Sequence, residues 1–213
     1  MFPALYAILD ASPEFAADSE LSIFEIAEQL VNAGVELFQY RDKRGSARRL
    51  QDNSRELAAA LGAKGARFIV NDRADIAAIV RAGGVHVGQE DLPAEAARKI
   101  CGGQVWVGVS THNLEQLRAA DATSADYIAV GPIFPTSTKA NPDPVVGLEF
   151  LRAARRITWK PLVAIGGITV ESASDVYRAG ADSIAVIRDL MAAKDPARKA
   201  REYLEIAKSK RPG

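Results

Sequence analysis

The chain has 213 residues, 48% hydrophobic and 25% charged, an ordinary globular composition with enough material for a substantial core. Its 27 Lys+Arg balance 27 Asp+Glu, so no global field points to nucleic acid or an anionic membrane, and any anion must be held by local arrangement. A single cysteine, Cys101, excludes an internal disulfide framework and suits a reducing compartment.

No basic segment followed by an apolar one opens the chain, so no secretory signal is expected. No apolar run is long enough to span a bilayer, and the expected location is the cytoplasm. Strand-like runs rich in Val and Ile fall at Ala4–Asp10, Val35–Arg41, Arg67–Asp72, Gly84–Gly88, Gln104–Ser110, Tyr127–Ile133, Pro161–Gly166 and Ser183–Arg188. Helix-period segments lie between them, near Ile23–Asn32, Ala47–Leu61, Ala74–Ala82, Ala94–Ile100, Leu114–Ala122, Leu148–Ile157, Val170–Ala179 and Pro196–Lys208. The strands are nearly continuous apolar runs, as parallel strands covered on both faces should be. Gly34, Gly62, Gly83 and Gly180 mark helix exits. The last stretch, Lys208 to Gly213, reads as a frayed basic tail.

Eight strand–helix units with right-handed connections predict an α/β fold, a single (β/α)8 TIM barrel occupying residues 1–213 as one domain. A doubly wound open sheet is the alternative. It would place its ligand at one switch point, whereas here polar residues close nearly every strand. In a barrel these ends meet on one face, and the site is built there.

The second strand ends Gln39-Tyr40-Arg41-Asp42-Lys43. Alternation puts Gln39, Arg41 and Lys43 on one side, as an anion clamp in which Arg can grip two phosphate oxygens. A basic helix flank is the bland reading, but cations are disfavoured at a helix start. Asp72 closes the third strand and Asp91 follows the fourth. Either could cap a helix, yet beside the clamp they suit a Mg²⁺ held largely through phosphate oxygens and water. After the fifth strand, Ser110 could donate to a phosphate, and Asn113 or Thr111 should cap the next helix with Glu115 or Gln116 reaching back. His112 could serve as acid/base, cap or packing residue, and His86 reads as buried and hydrogen-bonded.

The stretch Gly131-Pro132-Ile133-Phe134-Pro135-Thr136-Ser137-Thr138-Lys139 follows the sixth strand. Hydroxyls and backbone N–H groups beside an ammonium suit a phosphate, and a solvated loop is the alternative. It opens the longest interruption, Pro135–Val146, a candidate lid. Gly166-Gly167 after the seventh strand lets backbone N–H groups approach a ligand, and the seventh–eighth region is the recurrent phosphate site of such barrels.

These segments, together with Gly84 to Pro93, Gly108-Val109-Ser110 and Gly166-Gly167-Ile168, resemble the thiamine-phosphate synthase family over essentially the whole chain. The resemblance implies a Mg²⁺-dependent transferase that joins a pyrimidine diphosphate to a thiazole phosphate, giving thiamine monophosphate and pyrophosphate. It implies that the run Gln39 to Lys43 (with Tyr40 and Asp42), Asn71, Ser110 and Lys139 hold the pyrimidine diphosphate. Arg41, Lys43, Ser110 and Lys139 would act in catalysis, and Asp72 and Asp91 would ligate Mg²⁺. Thr136, Ser137, Thr138, Gly167, Ile187 and Arg188 would hold the thiazole phosphate. Arg188 departs from the family, which usually has a small residue there, often serine. The expected partners are two phosphorylated small molecules, with no nucleic acid and no membrane; a homodimer is compatible with the sequence. A related thiazole tautomerase, with its active histidine matching His112, and a non-catalytic thiamine-phosphate binding protein are the alternatives.

Overall fold

The computed structural model describes residues 1–13, 20–136 and 143–210. Eight parallel strands close into a barrel in sequence order: β1 (Leu5–Asp10), β2 (Leu37–Arg41), β3 (Arg67–Asn71), β4 (Gly84–Val87), β5 (Trp106–Thr111), β6 (Tyr127–Val130), β7 (Leu162–Ile165) and β8 (Ser183–Val186). The barrel closes where Tyr6 pairs with Ala185. Helices α1 (Ile23–Asn32), α2 (Ala47–Gly62), α3 (Ala74–Ile79), α4 (Ala94–Cys101), α5 (Leu114–Asp121), α6 (Gly147–Arg155) and α7 (Val170–Arg178) connect the strands. A short α8 (Arg188–Met191) and a long α9 (Pro196–Lys210) follow β8. The expected (β/α)8 barrel is therefore the fold. No helix among the described residues is long and apolar enough to cross a membrane.

Alternation along the strands divides the core in two. Leu5, Ala7 and Leu9 of β1, Phe38 and Tyr40 of β2, and Val85 and Val87 of β4 pack outward beneath the helices. Tyr6, Ile8, Leu37, Ile69, Tyr127, Ala129, Val163 and Ala185 fill the barrel interior. The interior is apolar in its lower layers and polar near the strand ends, where Gln39, His86 and Ser110 face inward.

Local sequence explains the helix starts. Ser22 and Glu25 form a capping box on α1, Ser46 caps α2 through the Arg49 N–H, and Asn113 caps α5 through the Gln116 N–H at 2.9 Å. Gln116 does reach back, but to the His112 N–H at 2.7 Å.

Several boundary expectations need correction. Gly62 is the last residue of α2, and the left-handed turn falls at Gly65 instead. Arg81, not Gly83, takes the left-handed conformation after α3. Gly83 is small for another reason: a Cβ there would lie 2.8 Å from Arg67 Cγ. The eighth strand stops at Val186, because Arg188 already begins α8. The C-terminal segment stays helical through Lys210, where a frayed tail was expected from Lys208.

Candidate active site

A cleft of about 1450 Å³ opens at the C-terminal ends of the strands. Eleven of the sixteen predicted site residues line it: Gln39, Arg41, Lys43, Asn71, Asp72, Asp91, Ser110, Thr136, Gly167, Ile187 and Arg188. Ser137, Thr138 and Lys139 lie outside the described residues.

Tyr40 and Asp42 do not reach the cleft. The alternation that turns Gln39, Arg41 and Lys43 inward turns these two toward α2. Tyr40 is buried and accepts from Asn53 Nδ2 at 2.8 Å. Asp42 is clasped by the Arg49 guanidinium through two 2.8 Å bonds and accepts from the Gly45 N–H at 2.7 Å. Burial alone would raise its pKa, but these donors outweigh it and hold the carboxyl below its ordinary value. Both residues build the β2–α2 corner, a correction to their expected place in the substrate site.

The clamp has a component that the sequence reading missed. Arg41 donates to the Asp10 carboxylate at 2.5 Å, and the Asp10 side chain has no exposed surface. Ser12 also donates to Asp10 through its backbone N–H at 2.9 Å and its hydroxyl. Asp10 thus fixes the direction of the guanidinium from the end of β1. Its position at a strand end was the available signal.

Lys43 and Asp72 form an ion pair across the β2–β3 ends. Asp72 does not cap α3: Arg73 occupies the cap position and makes no side-chain cap bond. Asp72 instead has φ 61, a conformation that a short polar side chain tolerates better than most. Burial raises its pKa, the nearby Asp91 adds to the effect, and Lys43 opposes both. Asp91 likewise closes a loop, accepting from the Gly88 N–H at 2.8 Å, while Pro93 stands at the start of α4. Two carboxylates from neighbouring strand ends therefore face one another beside a lysine. That donor set fits a divalent cation. Among the described residues no three His, Cys, Asp or Glu side chains converge, so such a cation would draw its remaining ligands from substrate and water.

The floor of the cleft carries a largely buried polar series. Gln39 Nε2 donates to Tyr6 Oη at 2.8 Å, Tyr6 Oη lies 3.0 Å from Tyr127 Oη, Tyr127 Oη lies 3.0 Å from His86 Nδ1, and His86 Nε2 lies 2.8 Å from Ser110 Oγ. Gln89, which the sequence reading passed over, donates to the Ser110 carbonyl at 2.5 Å. His112 is not a cap. Its Nδ1 contacts the Gly131 carbonyl at 2.6 Å, and its Nε2 lies 3.6 Å from the Asp143 carboxylate.

On the opposite side, Gly166 and Gly167 both take positive φ, 100° and 63°. A Cβ on Gly167 would lie 2.4 Å from the Pro135 carbonyl oxygen, so the β7 turn and the segment after β6 pack with no space for a side chain. Thr136 enters the cleft from that segment, and Ile187 and Arg188 enter it from the junction of β8 and α8. A short extra helix after β8 is a recurrent companion of phosphate sites in these barrels.

A closed barrel with cations, facing carboxylates and a glycine turn around one cleft defines a class: (β/α)8 proteins with a charged cleft at the C-terminal ends of the strands. Comparison with known proteins gives the particular family. The model of the thiamine monophosphate synthase family matches residues 5–190. The chain is 52% identical to a thiamine-phosphate synthase of Koribacter versatilis, over 97% of each chain, and 42% identical to one of Archaeoglobus fulgidus, over 96% of this chain and 93% of the relative. A solved thiamine phosphate pyrophosphorylase from Pyrococcus furiosus superposes with a TM-score of 0.84 at 32% identity, covering 97% of this chain and 96% of that one. The chain belongs to the thiamine monophosphate synthase family.

Proposed function

We propose that the protein couples 4-amino-5-hydroxymethyl-2-methylpyrimidine diphosphate to a thiazole phosphate, releasing thiamine monophosphate and pyrophosphate. The observation that carries this reading is that the cleft joins two dissimilar anion-binding ends. One holds Arg41, Lys43, Asp72 and Asp91; the other holds the Gly166-Gly167 turn, Thr136 and the Ile187–Arg188 junction.

Arg41 and Lys43 hold the diphosphate and neutralise the charge that grows on it as the carbon–oxygen bond breaks. Asn71 and Ser110 orient the pyrimidine, with Lys139 assigned to the same diphosphate. Asp72 and Asp91 would hold Mg²⁺, which would add charge neutralisation on the leaving pyrophosphate. The aminopyrimidine delocalises the positive charge left on its methylene carbon. The thiazole nitrogen then attacks that carbon; it carries no proton, so no general base is required. The β7–β8 end, with Thr136 and the neighbouring Ser137 and Thr138, anchors the thiazole phosphate. Most of the acceleration comes from orientation and preset charge.

The test is product formation by the purified protein, with thiamine monophosphate detected as its fluorescent oxidation product. Product is expected when both substrates and Mg²⁺ are present and absent when any one is omitted. Conversion of a thiazole phosphate into its tautomer without the diphosphate would support the tautomerase alternative instead.

A further inference from the structure

We propose that the buried series from Gln39 to His86 is a directed chain of hydrogen bonds that sets Ser110 as a donor to the pyrimidine diphosphate, with Tyr127 and His86 as its positioning residues. The substrate in this statement rests on the function proposed above; the polarity of the chain does not.

Direction follows from counting protons. The Gln39 amide nitrogen can only donate, and it meets Tyr6 Oη at 2.8 Å. A phenol has one proton, so Tyr6 passes its own to Tyr127 Oη at 3.0 Å. Tyr127 in turn donates to His86 Nδ1 at 3.0 Å. An imidazole that accepts at Nδ1 carries its proton on Nε2, and that nitrogen lies 2.8 Å from Ser110 Oγ. Ser110 accepts this proton's hydrogen bond and retains its own hydroxyl proton for the cleft, which it lines. The opposite direction would aim the Tyr6 proton at the Gln39 N–H₂, leaving donors in conflict at two fully buried groups. A phenolate could accept from both sides and erase the polarity, but burial pushes both Tyr6 and Tyr127 far above the ordinary phenol range, so both stay protonated.

The fold makes room for this chain. Gly108 stands opposite Tyr127 in the register, and a Cβ on it would lie 2.0 Å from the tyrosine ring. The His86 and Tyr127 rings stack with centroids 5.5 Å apart and planes at 26°. The link between Tyr127 and His86 is thereby held by packing as well as by its hydrogen bond.

The experiment uses the full chain labelled with ¹⁵N-histidine. With only two histidines in the sequence, the His112→Asn variant identifies the two rings. His86 is expected as the Nε2–H tautomer with Nδ1 unprotonated. His112 should show the reverse, since its Nδ1 faces the Gly131 carbonyl at 2.6 Å. A protonated Nδ1 on His86 at neutral pH would overturn the directed chain. This readout needs no turnover, so it decides the polarity even if the chain fails to couple the two substrates. The second measurement is a double-mutant cycle. Tyr127→Phe releases His86 Nδ1, and kcat/KM for the pyrimidine diphosphate should fall about five- to tenfold, the worth of one oriented hydrogen bond. In a Ser110→Ala background the same change should cost less than about twofold, because the group it orients is gone. Equal losses in both backgrounds would mean that Tyr127 acts on structure alone. If Tyr127→Phe does not fold, Tyr6→Phe breaks the chain one link further from Ser110 and carries the same expectations.

Discussion

Arg41 has two partners, the substrate it is assigned to and Asp10, and its removal should register in two separable ways. Asp10 has no exposed side-chain surface and the Arg41 side chain is 17% exposed. Arg41→Ala leaves a buried carboxylate whose donors among the described residues are those of Ser12 alone. Breaking a buried pair from one side costs about 3–5 kcal/mol, and the partial exposure of Arg41 favours the lower end. For a domain of this size, about 3 kcal/mol lowers Tm by roughly 6–12 °C. Asp10→Asn in the same chain removes the stranded charge and keeps groups for Ser12, so the double variant should regain more than half of that loss. Activity should behave otherwise. Losing one preset charge on the leaving diphosphate should lower kcat by about 10²–10³-fold, and the double variant should stay as slow as Arg41→Ala. Thermal melts and steady-state kinetics on the wild type, both single variants and the double variant test this. An Arg41→Ala protein with wild-type Tm would refute the buried-pair argument. Recovery of kcat in the double variant would refute the clamp.

Three further outcomes are expected. Asp72 has a raised pKa in the fold, so between its unfolded value of about 3.9 and its folded value the native state binds more protons, and stability falls as pH rises through that window. Asp72→Asn should therefore melt higher than wild type at pH 7 in metal-free buffer, with the gain shrinking as pH falls through that window and gone below about 3.9; the same variant should lose any Mg²⁺ response in activity. Gly167→Ala must adopt φ 63 and meets the Pro135 carbonyl; Tm should drop by about 5 °C, and KM for the thiazole phosphate should rise more than KM for the diphosphate. Asp42→Ala should lower Tm through the loss of the Arg49 and Gly45 bonds, while kcat/KM changes by less than about threefold, since the carboxylate faces α2; a large KM effect would restore Asp42 to the substrate site.

The fold was legible because eight apolar runs alternate with amphipathic segments, and the strand ends were legible because a barrel gathers them on one face. Gln39, Arg41, Lys43, Asp72 and Asp91 could be placed from alternation and position alone. Tyr40 and Asp42 were misplaced when the whole matching run was carried over, although the same alternation that placed their neighbours turns them outward. Asp10 was missed because its role is a pairing between β1 and β2 that register sets and periodicity does not show. The chain from Gln39 to Ser110 joins β2, β1, β6, β4 and β5, and no local pattern announces contacts between residues so far apart. The glycines at 62 and 83 misled for a related reason: Gly83 is small because Arg67 crosses it, and that is a tertiary requirement.

Pyrophosphate release bears most directly on the central claim. The purified protein would be given the pyrimidine diphosphate with and without the thiazole phosphate, in Mg²⁺ or in EDTA. Release at the rate of thiamine monophosphate formation, and only with both substrates and Mg²⁺, is the predicted result. No release under any of these conditions, from protein shown to be folded, would contradict it.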